Sequence, residues 1–260
     1  MAAAPQLSNE RSTDLRNDMT DAEWRTRVDL AALYHIVHHF GWTDTINTHF
    51  SARVPGEPDA FLINRYGEMF DEITASSLIK MDMGGNVIGE PGPYNDAGFT
   101  IHSGVYKARP DANCVTHTHT RAGAGVALLA EGLRPISQDV LHVYDELAYH
   151  PYGEPATTDE CEALGQTCLK GSCVVLQNHG LLTFGPTIWG ALQRLYMLER
   201  ACELELLARQ MNAKTVMIED RVVHAVGERI RAARDSDAYG LMEWQALVRT
   251  VEKNGADFRK

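Results

Sequence analysis

Apolar residues recur along the chain with two periods, one of a helix and one of a strand, and the switches between them mark out most of the elements. From Thr20 to Gly41, Val28, Ala32, Ile36 and Phe40 line one helical face, Thr20 and Glu23 form a capping box, and Gly41 ends the helix. Strand-like runs follow at INTHFSARV, AFLIN and SLIKMD, the last turning at GGN before VIG. A helix over AGFTIHSGVYKAR closes at Pro110, and a β-branched stretch, NCVTHTHT, then leads into a second helix over AGAGVALLAEG. TDECEALGQTCLKG reads as a helix, and SCVVLQ and LLTFG as strands on either side of an NHG turn. A long helix spans TIWGALQRLYMLERACELELLARQM, apolar at Trp189, Leu192, Leu195, Tyr196, Leu198 and Leu206. Two more helical stretches lie near 224–234 and 240–253. Helices around strands partly joined by hairpins predict an α/β fold with a central, mostly antiparallel sheet flanked by helices.

A length of 260 residues fits one large domain with terminal extensions. The expected division is a flexible tail over 1–19, the domain over 20–215 and a C-terminal helical extension over 216–260. The formal net charge of −11, with no basic run and no aromatic-basic interleaving, argues against a nucleic-acid partner. No apolar stretch is long enough to span a bilayer, and the polar N-terminus has no apolar signal core. Five cysteines, odd in number and without a C-x-x-C pair, suit buried thiols in a reducing cytoplasm. GAGVAL resembles a dinucleotide fingerprint only in part, because Leu128 stands where the third glycine belongs.

The chemistry concentrates in histidines. His117 and His119 sit at i and i+2 of a strand, so their side chains share a face. That spacing suits one metal ion, and it equally suits polar residues on a solvated strand face. A third histidine, His179, occupies the NHG turn between two apolar strands. Three neutral imidazoles would leave an ion its full charge and an open position, which is the catalytic arrangement. Alone, the NHG histidine also reads as an ordinary tight-turn residue. His35 and His39 stand at i and i+4, but the zinc-protease pattern needs glutamate at position 36 and finds Ile36.

Taken together, ARPDANCVTHTHTRAGAGVALL, VVLQNHGLLTFG, FLINRYGEMFDEITASSLIKMD and NDAGFTIHSGVYKARPDA resemble the class II aldolase and adducin-head family, in its adducin-like branch. The likeness covers about residues 20 to 215. It implies a single α/β/α domain, a small-molecule substrate and a homo-oligomer, commonly a tetramer. It also implies one divalent ion per subunit held by His117, His119 and His179, with zinc expected and iron or manganese as alternatives. Sugar-phosphate aldolases of the family carry Ser-Ser-Glu before the helix that leads to the His-x-His strand, the glutamate being their proton shuttle. Asp96, Ala97 and Gly98 align there, so the shuttle is missing and an aspartate would repel a phosphate dianion. Asn47 and Gly67 match the other phosphate-loop positions.

These departures point to C–C bond cleavage, by retro-aldol reaction or decarboxylation, of a small unphosphorylated hydroxy- or keto-acid. Proton-transfer candidates are Asp96, His102 and Tyr106; His102 lies one helical turn beyond Gly98. Arg121, two residues past His119, is the candidate clamp for a substrate carboxylate. Two other classes stay open: a non-haem iron oxygenase acting on an aromatic keto or hydroxy acid, and a non-catalytic assembly protein like the adducin heads.

Overall fold

The computed structural model of the protein describes residues 16, 19–89, 91–154 and 156–260. The expected tail at 1–19 therefore lies outside the described residues, apart from positions 16 and 19. Helix α1 (Asp21–His39) precedes strands β1 (His49–Val54), β2 (Glu57–Ile63), β3 (Ile79–Asp82) and β4 (Val87–Ile88). Helix α2 (Asp96–Ala108) leads into β5 (Cys114–Thr118), the short helices α3 (Arg121–Ala127) and α4 (Gln138–Leu141), and β6 (Leu147–His150). The remainder runs through α5 (Thr158–Cys168), β7 (Cys173–Leu176), β8 (Gly180–Gly185), α6 (Ile188–Gln210), α7 (Asp220–Arg234) and α8 (Leu241–Lys253).

The capping box holds at α1, where the Thr20 hydroxyl accepts the Glu23 N–H at 3.1 Å. All eight strands form one sheet in the order β4-β3-β2-β1-β5-β8-β7-β6. Every neighbouring pair is antiparallel except β6 with β7. Strand alternation divides the core in two. Phe50, Ala52, Leu62 and Cys114 face α1, α6 and α8, while Phe61, Ile63, Val115 and Leu182 pack under α2 and α5. With helices on both faces, β5, β7 and β8 are buried along their whole length, which is why β7 and β8 read as apolar runs. The result is one α/β/α domain.

Two local differences have physical causes. The helix after the His-x-His strand ends at Ala127, earlier than the AGAGVALLAEG pattern predicts. There the Leu128 and Leu129 N–H groups reach back three residues to the carbonyls of Gly125 and Val126, and Gly132 turns the chain with φ +62°. The edge strand β6 carries no clear period in the sequence; four residues are too few to show one.

The C-terminal residues close the α1 side. Trp244 and Val251 of α8 and Phe258 are buried there, and Ala75 and Ser76 donate to the carbonyls of Phe258 and Lys260 at 2.9 and 3.0 Å. All five cysteines are free: Cys114, Cys168, Cys173 and Cys202 are buried, and Cys161 is half-buried. Among the described residues no helix is long and apolar enough to cross a membrane.

Candidate metal centre and its surroundings

Three imidazoles meet where the ends of β5 and β8 face α2. His117 lies on the α2 side of β5, directly across from His49 on β1. The turn carrying His179 is shaped by its neighbours. Asn178 adopts φ +60°, a left-handed conformation asparagine tolerates, and its N–H donates to Ala127 O at 2.9 Å. Gly180 runs so close to β5 that a Cβ there would collide with the Thr118 carbonyl. That close approach sets His179 beside His119. The Nε2 of His119 is 2.9 Å from the Nε2 atoms of both His117 and His179, and the three ligand atoms lie within 4.8 Å of one another.

The partners on the far side of two rings decide the proton positions. His117 Nδ1 is 2.9 Å from the Leu181 carbonyl, which can only accept, so Nδ1 carries the hydrogen and Nε2 is bare. Asp44 Oδ2, 2.9 Å from His119 Nδ1, does the same for His119. Two bare lone pairs then oppose each other at 2.9 Å, an arrangement that repels unless a cation lies between them. Burial, with the neighbouring histidines, holds the His117 imidazole well below its usual pKa. Burial and then His119 lower His179 to about 4. The neutral form that ligates a metal is thus the form present at neutral pH. This donor set fits a divalent ion, with a carboxylate and a carbonyl orienting two of its ligands.

Behind the cluster runs a second polar group. His49 Nδ1 is 2.8 Å from His102 Nε2, His102 Nδ1 is 2.6 Å from Ser51 Oγ, and Ser51 Oγ is 2.7 Å from Tyr106 Oη. All four side chains are buried. Burial, then His117, brings His102 down to about 3 and so keeps it neutral. Burial also raises the Tyr106 phenol well above its usual range.

The other residues singled out in the sequence are spread more widely. Asp96 is exposed as the first residue of α2, and Arg121 is exposed as the first residue of α3. The strand stops at Thr118, so strand alternation does not extend to Arg121. Asn47 is exposed and donates to Thr45 Oγ1 at 3.1 Å, and Gly67 is exposed with φ +103°. His35 is a structural residue, its Nε2 lying 2.9 Å from the Ile73 carbonyl.

Sequence reasoning did not find Asp44, His49, Ser51 or the pair of buried His150 and half-buried Glu160, whose Nε2 and Oε1 are 3.0 Å apart. His49 and Ser51 carried a signal, as polar residues alternating with Phe50 and Ala52 along one strand. Beside His179 lies a small pocket whose walls are largely apolar, built from Ala97, Ile101, Tyr152, Leu164 and Leu176, with His150 and Glu160 on one side.

Comparison with known proteins agrees with this architecture. The model of the Class II Aldolase and Adducin N-terminal domain matches residues 28–206. A crystal structure of an aldolase II superfamily protein from Pseudomonas syringae is 40% identical, with a TM-score of 0.90, over 95% of this chain and 100% of that one. L-fuculose 1-phosphate aldolase from Glaciozyma antarctica is 26% identical, with a TM-score of 0.80, over 99% of this chain and 97% of that one. Alpha-adducin of Rattus norvegicus is 40% identical over 185 residues, which make up 69% of this chain and 25% of the adducin. The chain belongs to the class II aldolase and adducin N-terminal domain family.

Proposed function

We propose that the protein is a divalent-metal-dependent lyase that cleaves a C–C bond, by retro-aldol reaction or decarboxylation, in a small unphosphorylated hydroxy- or keto-acid. The observation that carries this reading is the pair of bare imidazole nitrogens 2.9 Å apart, with a third imidazole completing the set. His117, His119 and His179 would hold the ion, zinc in the first instance. A bound divalent cation supplies Lewis acidity to a chelating oxygen and to the enolate that both reactions form.

The chain's own groups set the rest. The apolar pocket beside His179 is small, about 40 Å³, and suits a methyl-sized group of the substrate better than a sugar chain. Asp96, exposed at the start of α2, would repel a phosphate dianion. We assign the substrate carboxylate to Arg121, which has no ion pair among the described residues. His102 and Tyr106 are sealed behind His49, so they act on the substrate only through it. The lyase class draws support from the neighbour named L-fuculose 1-phosphate aldolase; the unphosphorylated substrate is argued from this chain alone. We place the enzyme in the cytoplasm as a homotetramer. Exposed Leu128, Leu207, Met211, Val216 and Met217 offer apolar surface for subunit contact.

Elemental analysis of anaerobically purified protein, followed by turnover of hydroxy acids, keto acids and phosphorylated ketoses, tests the proposal. The expected result is zinc or manganese and cleavage of an unphosphorylated acid. Both should be lost in a His117→Ala/His179→Ala variant that still folds. Efficient cleavage of a sugar phosphate would refute the substrate class. Iron with oxygen uptake would make the protein an oxygenase, and no metal-dependent turnover would favour an assembly role like that of adducin.

A further inference from the structure

The buried chain from Tyr106 to His49 has a direction. Tyr106 Oη has one partner among the described residues, Ser51 Oγ at 2.7 Å. A phenol buried in the core keeps its hydrogen satisfied only by donating to that oxygen. Ser51 then donates to His102 Nδ1 at 2.6 Å, and His102 Nε2–H donates to His49 Nδ1 at 2.8 Å. The opposite direction would leave the Tyr106 hydrogen without an acceptor. With its Nδ1 accepting, neutral His49 carries its hydrogen on Nε2.

His49 stands beside the metal centre. The His49 ring lies 5.0 Å from that of His117 between centroids, across the β1–β5 ladder. Its Nε2 has no partner among the described residues and is not one of the sealed polar atoms such as Thr48 Oγ1 and Thr118 Oγ1. It is also outside the group of three ligand nitrogens. Gly98 makes room for the ring: a Cβ at 98 would stand 2.9 Å from His49 Cδ2 and 3.0 Å from Nε2. Position 98 and the His49 imidazole therefore compete for one volume, and here the imidazole has it.

We propose that His49 is a catalytic residue whose Nε2–H, oriented by His102, Ser51 and Tyr106, donates a hydrogen bond to an oxygen of the substrate held at the histidine cluster. The ligand chemistry is that of a chelating carboxylate or the enolate derived from it, and the donor is aimed at charge that grows as the bond breaks. His49 is not a base in this role. The proposal rests on reading His117, His119 and His179 as a metal centre.

Zinc and oxalate titrations of the full chain, by calorimetry, separate the two. The parent protein should bind zinc and then oxalate. His49→Leu should bind zinc with unchanged affinity and oxalate roughly 10- to 100-fold more weakly, the loss of one hydrogen bond to a charged group. His49→Gln, which keeps a donor near the Nε2 position, should recover much of that. Gly98→Ala, by pushing the ring aside, should weaken oxalate and not zinc. Nitrogen-15 spectra of histidine-labelled, zinc-loaded parent protein should show hydrogen on His49 Nε2, a readout that needs no variant to fold. A bare Nε2, or unchanged oxalate affinity in zinc-loaded His49→Leu, would overturn the role of His49 and leave the metal centre standing. A parent protein that binds no zinc would remove both.

Discussion

On the α1 side of β1, Phe50 stacks on Tyr34 with ring centroids 4.7 Å apart and meets Phe70 edge on at 5.1 Å. On the α2 side of the same strand, one residue to either side, His49 and Ser51 belong to a chain of hydrogen bonds that ends at His49, beside the histidine cluster. The backbone is shared and only the pleat separates them. One face is held by dispersion and the release of water, the other by proton positions. Substitutions on the first should therefore cost stability and spare the site, and substitutions on the second should do the reverse.

The largest expected break of that contrast is Phe50→Ala. Its ring is fully buried among Tyr34, Phe70 and the α1 core, and such truncations cost about 3–5 kcal/mol. Urea unfolding should show the loss, while the molecules still folded should bind zinc with parent stoichiometry. Glu199 of α6 sharpens the contrast, as a carboxyl on the apolar side. It is 2% exposed and accepts from Thr120 Oγ1 at 2.5 Å, and burial raises its pKa to about 7. Between the ordinary value of 4.5 and about 7 the folded state holds a proton that the unfolded state has released, so stability falls as pH rises through that window. Glu199→Gln should stabilise the protein by up to about 3 kcal/mol at pH 8 and by almost nothing near pH 4.5. Thermal unfolding at the two pH values checks it.

The smallest effect belongs to Asp44→Ala. Its side chain is 41% exposed and orients His119, so stability should hold while zinc affinity drops about 10- to 100-fold. Competition with a chromogenic chelator measures the change. An unchanged affinity would show that Asp44 is not what fixes the His119 tautomer.

The sequence made visible what depends on local order. A capping box and a repeating stripe defined α1, and i, i+2 spacing placed His117 and His119 on one face. The NHG turn was legible because asparagine and glycine answer a backbone requirement that leaves a trace in the sequence. What stayed hidden depends on register between distant segments. His49 meets His102 across 53 positions, and Asp44 meets His119 across 75, with no period linking either pair. Tyr106 and His102 were found as proton-transfer candidates on one helix, but their sealing behind β1 follows from how α2 lies on the sheet. Arg121 shows the converse: i+2 spacing lost its meaning where the strand gave way to a helix cap at Thr120.

The distribution of sulfur gives the molecule an internal clock. Burial pushes the Cys168 thiol up to about 12 and raises Cys114, Cys173 and Cys202 further still, so none of the four offers thiolate to a reagent while the sheet is closed. Cys161 alone is half-buried and within reach. An alkylating probe would thus record one quick event per chain and then wait on openings of the α/β/α layers, each later adduct dating an excursion of the strand or helix that carries it.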